Sequence, residues 1–243
     1  MATVHARRPN ARRAAKLPAR FGPRSSGILM TPEEFDAIPS EACERGYRYE
    51  LINGVFIVSP AVSIEEGDPN DDLGHLLRLY QETHPEGSAL DATVPERDIS
   101  ARNQRRRCDR AIWVGLGRLP DTKTEIPAIV VEFVSGDKRD AVRDYEQKRD
   151  EYRAAGVKEY WIIDRFQRIM TVHKPGRGGL KTEVVSESET YTTKLLPGFA
   201  LPLARLLERA NRWTRNETSK AESKPKVKRA PKSKSKPDGE NHG

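Results

Sequence analysis

The spacing of apolar positions changes several times along the chain, and each change marks an element. After a basic stretch with almost nothing apolar to bury, Thr31 and Glu34 stand three apart with Pro32 between them. This is a capping-box pattern with proline at the first helical position, and it predicts a short helix over 31–38. The run YRYELINGVFIVSP (47–60) is broken at Asn53-Gly54, the dipeptide that best tolerates the positive φ of a tight turn, and predicts a hairpin. Over 71–83, Leu73, Leu76, Leu77 and Tyr80 fall on one helical face. A polar strand over 89–94, a charged turn and a strand over 107–114 follow. Residues 129–134 are apolar on both parities, as a strand covered on both faces would be, and predict the centre of the sheet. A highly charged helix is expected over 138–155, with Ala141, Tyr145, Tyr152 and Ala155 available for packing and Gly156 closing it. VKEYWIID (157–164) reads as a strand, residues 168–173, 182–185 and 191–195 as a trailing antiparallel meander, and 201–212 as a last helix. This order predicts an α/β domain with a mixed β-sheet flanked by helices and no internal repeat.

Charge divides the chain into three. The net charge is +7, yet residues 1–26 carry +7 and residues 214–243 carry +5, which leaves residues 27–213 at −5. A single well-buried domain over 27–213 is expected between a basic N-terminal arm and a Lys/Pro/Ser-rich tail, both disordered for want of apolar residues. Such arms attract polyanions without sequence preference, and Lys226, Lys228 and Arg229 in KPKVKRAPKSKSK are nucleic-acid contact candidates. A solubilising tail is the alternative. The N-terminal arm fits either an organellar presequence or a bacterial basic extension. Cys43 and Cys108 are the only cysteines and lack CxxC spacing, so neither a zinc site nor a disulfide framework is indicated. With no apolar run long enough to span a bilayer, the expectation is a cytoplasmic protein with no membrane partner.

Candidate chemistry lies between residues 105 and 164. Asp109 and Glu132 sit on two predicted strands, with Asp144 and Lys148 on the following helix. Two strand carboxylates suit a divalent cation, since Mg²⁺ takes one or two carboxylates and completes its shell with water and phosphate oxygens. Alternation puts Glu132 on the face of Val130 and Val134, and Asp109 on the face of Ala111 and Trp113. An acid among apolar strand residues is costly to bury unless it is paired or metal-bound. Each residue also has a plainer reading: Asp109 as a strand-edge acid paired with Arg107 or Arg110, Glu132 as a salt-bridged core acid, and Asp144 with Lys148 as an i,i+4 pair on a solvated helix face. Arg105, Arg106 and Arg107, just before Asp109, are candidates for phosphate contact. His75 and His84 read as packing or surface residues, and Tyr160 and Trp161 as core.

Taken together, RYELINGVFIVSP (48–60 from its Arg), RCD (107–109), VVEFVS (130–135), DYEQK (144–148) with Tyr152, AGVKEYWIID (155–164) and PGFALPL (197–203) resemble the Uma family of putative restriction endonucleases, a bacterial branch of the PD-(D/E)XK nuclease superfamily. The resemblance spans roughly residues 30–207. It implies a restriction-endonuclease-like α/β core and a Mg²⁺- or Mn²⁺-dependent endonuclease that hydrolyses DNA through a metal-activated water. Asp109 and Glu132 would bind the metal, Glu50 would be an assisting carboxylate, and Lys148 the catalytic lysine. A homodimer and association with the nucleoid are compatible with that picture. The chain departs from the pattern twice: Cys108 replaces the usual proline, and Val134 stands where the superfamily has lysine, so that Lys148, or failing it Lys138, must supply that charge. The alternative is a non-catalytic nucleic-acid-binding or scaffolding protein on a degenerate nuclease fold.

Overall fold

The computed structural model describes residues 17–101, 103–135 and 146–222. Helix α1 (Pro32–Asp36) opens on the expected capping box, with Thr31 Oγ1 accepting from Glu34 N at 3.2 Å and the Glu34 carboxylate accepting from Thr31 N at 2.7 Å. Strands β1 (Tyr47–Ile52) and β2 (Val55–Pro60) form the expected hairpin, turning at Asn53 and Gly54 with φ of 51° and 75°. Phe21, Met30, Leu51 and Phe56 bury a small core between this hairpin and the segment before it. Order therefore begins ahead of residue 27. Phe21 exchanges backbone hydrogen bonds with Ala42 and Glu44, so residues 17–26 pack with the domain instead of belonging to the arm read from charge alone.

Helix α2 (Ile64–Thr83) starts earlier than its apolar stripe suggests, because Pro69 lies inside it. A proline within a helix removes one hydrogen bond, which argues for a later start; here its ring is buried. Strands β3 (Leu90–Ala101) and β4 (Gln104–Val114) pair along one long hairpin, where the sequence suggested a short strand, a charged turn and a second strand. The charged residues stay in the ladder because they have partners: Arg107 with Glu96 and Asp98, Arg105 with Asp36, Arg106 with Glu151.

Strand β5 (Ile129–Phe133) is buried throughout, as a central strand must be, between antiparallel β4 and parallel β6 (Glu159–Asp164). Of the expected charged helix, Lys148–Ala155 is described as α3, closed by Gly156 in the left-handed region at φ 102°. Strands β7 (Ile169–Gly176) and β8 (Gly179–Ser186) complete an eight-stranded mixed sheet ordered β2-β1-β4-β5-β6-β7-β8, with β3 on the other edge of β4. The predicted meander is only partly formed. Its third strand, β9 (Thr190–Thr193), leaves the main sheet and pairs with β10 (Leu196–Pro202). Helix α4 (Leu203–Glu222) continues past residue 213, into the segment read as tail. Among the described residues, no helix is long and apolar enough to cross a membrane.

One face of the sheet packs against α2, α4 and the small sheet through Leu73, Leu77, Trp161, Tyr191 and Leu206; the other packs against α3 through Tyr152, Val157 and Tyr160. Glu159 ties the two sheets together. Its buried carboxylate accepts from Trp161 Nε1 at 2.9 Å, Tyr191 Oη at 2.9 Å and Thr193 Oγ1 at 2.7 Å. Glu159→Ala strands three buried donors, and a lost stability of about 3 kcal/mol is expected in urea unfolding. A change below about 0.5 kcal/mol would mean that apolar contacts alone hold β9 and β10 in place.

Candidate active site

Strand β4 divides its edges unequally. One edge pairs with β3 over 104–108 and 110–114, while the other pairs with β1 only at Arg105 (opposite Leu51) and with β5 only over 110–112. Between these contacts, residues 106–109 face a fork in the sheet. Their backbone groups there would be orphaned, at a cost comparable to lost hydrogen bonds, and side chains take them up. Glu50 Oε1 accepts from Arg107 N at 3.1 Å, Lys148 Nζ donates to Arg107 O at 3.3 Å, and Asn70 Nδ2 donates to Asp109 O at 2.8 Å.

The candidate residues converge on this fork. Asp109 is buried, one oxygen accepting from Phe133 N at 2.6 Å and the other from Arg48 Nη2 at 2.6 Å. Its cation is thus Arg48, and neither of its neighbours in sequence: Arg107 turns to Glu96 and Asp98, and Arg110 to Asn70 and Thr93. Glu132, one residue past Val131, which pairs with Arg110, is 1% exposed and accepts at Oε1 from Lys148 Nζ and Tyr152 Oη, both at 2.8 Å. Lys148 opens α3 and is itself buried, so its ammonium lies within the site and not on a solvated helix face. Asp144 and Lys138 fall outside the described residues, as do Lys226, Lys228 and Arg229.

The arginines before Asp109 are engaged within the fold. Arg106 is fully buried with its guanidinium on the Glu151 carboxylate, which fastens α3 to β4. Arg105 holds Asp36 with two hydrogen bonds, and Arg107 is the most open of the three.

Sequence reasoning missed three charged groups here. Arg48 lies two residues before Glu50, on the same face of β1 by alternation, and that spacing was the available signal. Burial opposes charge on its guanidinium, but the carboxylates of Asp109, Glu96 and Glu132 outweigh it and leave the pKa above the ordinary arginine value. Glu96 adopts a φ of 51° opposite the fork and binds both Arg48 and Arg107. Glu66, from the first turn of α2, is raised from 4.5 to about 7, chiefly by burial and then by the charge of Asp109. Burial and Glu132 also push up the Tyr152 hydroxyl, which stays protonated as a donor.

Among the described residues, no three His, Cys, Asp or Glu side chains form a ready metal-binding group. Asp109 and Glu132 nevertheless fit Mg²⁺ in kind: both are hard oxygen donors, from adjacent strands, and two carboxylates completed by water match its habit.

The sequence profile of the Uma2 family, described as putative restriction endonuclease, matches residues 32–204. The chain belongs to this family. Its fold is similar to the crystal structure of a putative nuclease belonging to DUF820 from Anabaena variabilis, with a TM-score of 0.56 and 13% sequence identity over 74% of this chain and 99% of that one. At that identity the likeness concerns the fold alone. Among curated proteins none matches. Family membership supports a nuclease function.

The raised Glu66 pKa has a consequence for stability. An acid whose pKa rises on folding binds its proton more tightly in the native state, so between pH 4.5 and about 7 the folded chain holds more protons than the unfolded one. Stability from this group is present below pH 4.5 and declines as pH rises through about 7. Comparing denaturation midpoints of wild type and Glu66→Gln across that window checks this: the variant should lack the decline.

Proposed function

We propose that this Uma2 protein is a Mg²⁺-dependent endonuclease that hydrolyses DNA phosphodiesters. The observation that carries the reading is the buried pair Asp109 and Glu132 at the fork, with Lys148 2.8 Å from Glu132. Asp109 and Glu132 would hold the cation, with Mn²⁺ as a substitute; when bound, it supplies charge neutralisation on the phosphate and an ionised water near neutral pH.

Each protein group has a separable task. Phe133 N and Arg48 fix the Asp109 carboxylate, and Tyr152 fixes Glu132, so neither acid has to reorient when substrate arrives. Lys148 sets a compact positive charge where a phosphate would stand, the part left empty by Val134. Glu50 acts through the backbone: by accepting from Arg107 N it holds the strand that carries Asp109. The basic arms would add phosphate contacts independent of sequence.

One observation favours a second reading. Arg48 and Lys148 already neutralise both acids, as a structural core on a non-catalytic nucleic-acid-binding scaffold would require. Cleavage assays on plasmid DNA with added Mg²⁺ separate the two. Under the nuclease reading, Asp109→Asn and Glu132→Gln abolish cutting, and Lys148→Ala slows it by about two orders of magnitude. Mn²⁺ should also raise the melting temperature of wild type and leave Glu132→Gln unmoved. Cutting that survives both carboxylate changes rejects the assignment. No cutting by wild type, with metal-free melting lowered in both variants, favours the scaffold.

A further inference from the structure

The turn between β6 and β7 stands at the same end of the sheet as the carboxylates. Strands β5 and β6 are parallel, with Glu132 beside Ile162 and Phe133 beside Ile163, so the chain leaving β6 emerges next to the catalytic end of β5. Arg165 is three residues past Ile162, and its charge reaches Glu66, the same acid that feels Asp109.

Phe166, at the tip, is 56% exposed. A single exposed apolar side chain is ordinary; what surrounds this one is not. The guanidinium of Arg165 lies 4.5 Å from the centre of the Phe166 ring. Among the described residues Arg165 makes no ion pair, and its Nε is buried without a hydrogen-bond partner. Ser135, just past β5, has a buried hydroxyl in the same condition. The turn is also tied by its own contacts. Asp164 Oδ1 accepts from Phe166 N at 2.8 Å and Gln167 N at 2.9 Å, Arg168 takes a φ of 56°, and its guanidinium is fastened to Glu187. The turn thus presents an aromatic face and a cation side by side, at the end of the parallel pair β5–β6 that carries Glu132.

We infer that Phe166 and Arg165 form a nucleotide-binding step beside the reaction centre, Phe166 stacking on an unpaired base and Arg165 holding the adjoining phosphate. A base inside a duplex has both faces covered by its neighbours, so the exposed ring selects a nucleotide outside the stack. The preferred substrate is therefore single-stranded or locally unpaired at the phosphate to be cut. This rests on the nuclease reading above and narrows its substrate.

The test uses the full chain in chelator-containing buffer, where hydrolysis is off, with a fluorescently labelled single strand and a duplex of the same sequence. Phe166→Ala should weaken single-strand binding at least about fivefold while duplex binding changes less than about twofold, given the usual worth of one stacked base. Phe166→Tyr should bind like wild type. Arg165→Ala should weaken binding and flatten the dependence of log affinity on log salt by about 0.7, one single-strand phosphate contact. A 2-aminopurine placed in the strand should be quenched by wild type and less so by Phe166→Ala. The melting temperature of Phe166→Ala, measured alongside, should match wild type, because its ring is exposed. If single-strand affinity and quenching are unchanged in Phe166→Ala, the inference is wrong, and DNA cutting by wild type would show that the nuclease reading stands without it. Wild type that neither binds nor cuts nucleic acid overturns both.

Discussion

A strand whose hydrogen-bonding edge is shared between two partners leaves a gap between them, and in this fold that gap on β4 organises everything around it. Arg107 and Asp109 would expose unpaired backbone groups inside the protein, where water cannot satisfy them. Glu50, Lys148 and Asn70 take those places, one each from β1, α3 and α2. The same demand that keeps the fork from being an unsatisfied hole therefore draws polar and charged side chains from three elements into one small volume. Two strand acids, Asp109 and Glu132, open onto it.

Electrostatics at the fork are balanced in pairs. Asp109 has Arg48, Glu132 has Lys148, and Glu96 bridges Arg48 and Arg107. Removing one member of a buried pair leaves an uncompensated charge, which costs several kcal/mol, so the site resists piecemeal change. Neutral donors add to this order: Tyr152 and Phe133 N fix the two carboxylates without adding charge. A site so arranged keeps its acids in place in advance, which is what an electrostatic catalyst needs.

The two faces of the sheet serve this arrangement differently. Helix α3 brings Lys148 and Tyr152 and is anchored by the ion pair of Arg106 with Glu151. Helix α2 brings Asn70 and Glu66 and is held close to β4 by Arg110, whose guanidinium occupies the space where a Cβ on Gly74 would be, 2.6 Å from Nη2. A side chain at position 74 would force the Arg110 guanidinium to shift and disturb its hydrogen bonds to Asn70. Glu159 steadies the far end of β6 against the small sheet, so the parallel strands that carry Glu132 and the Arg165–Phe166 turn keep a fixed register.

What the sequence determined by itself is what neighbours along the chain decide. The capping box at Thr31, the turn at Asn53-Gly54, the apolar residues on both sides of Glu132 in β5 and the glycine stop at Gly156 all depend on residues a few positions apart, and each was legible. The motifs also pointed to the family, and the resemblance implied roles for Asp109, Glu132, Glu50 and Lys148. Tertiary structure decided the rest because the deciding partners are far apart in the chain. Arg48 and Asp109 are separated by 61 residues and Arg107 and Glu50 by 57, and no periodicity encodes such a pairing. The charged stretch of β3 and β4 reads locally as a turn; only partners on other elements keep it in the sheet. Arg106 reads locally as a surface cation beside an acid, and only the docking of α3 buries it. Lys148 reads as one half of a helical surface pair until the fold turns α3 so that its first residue meets Glu132.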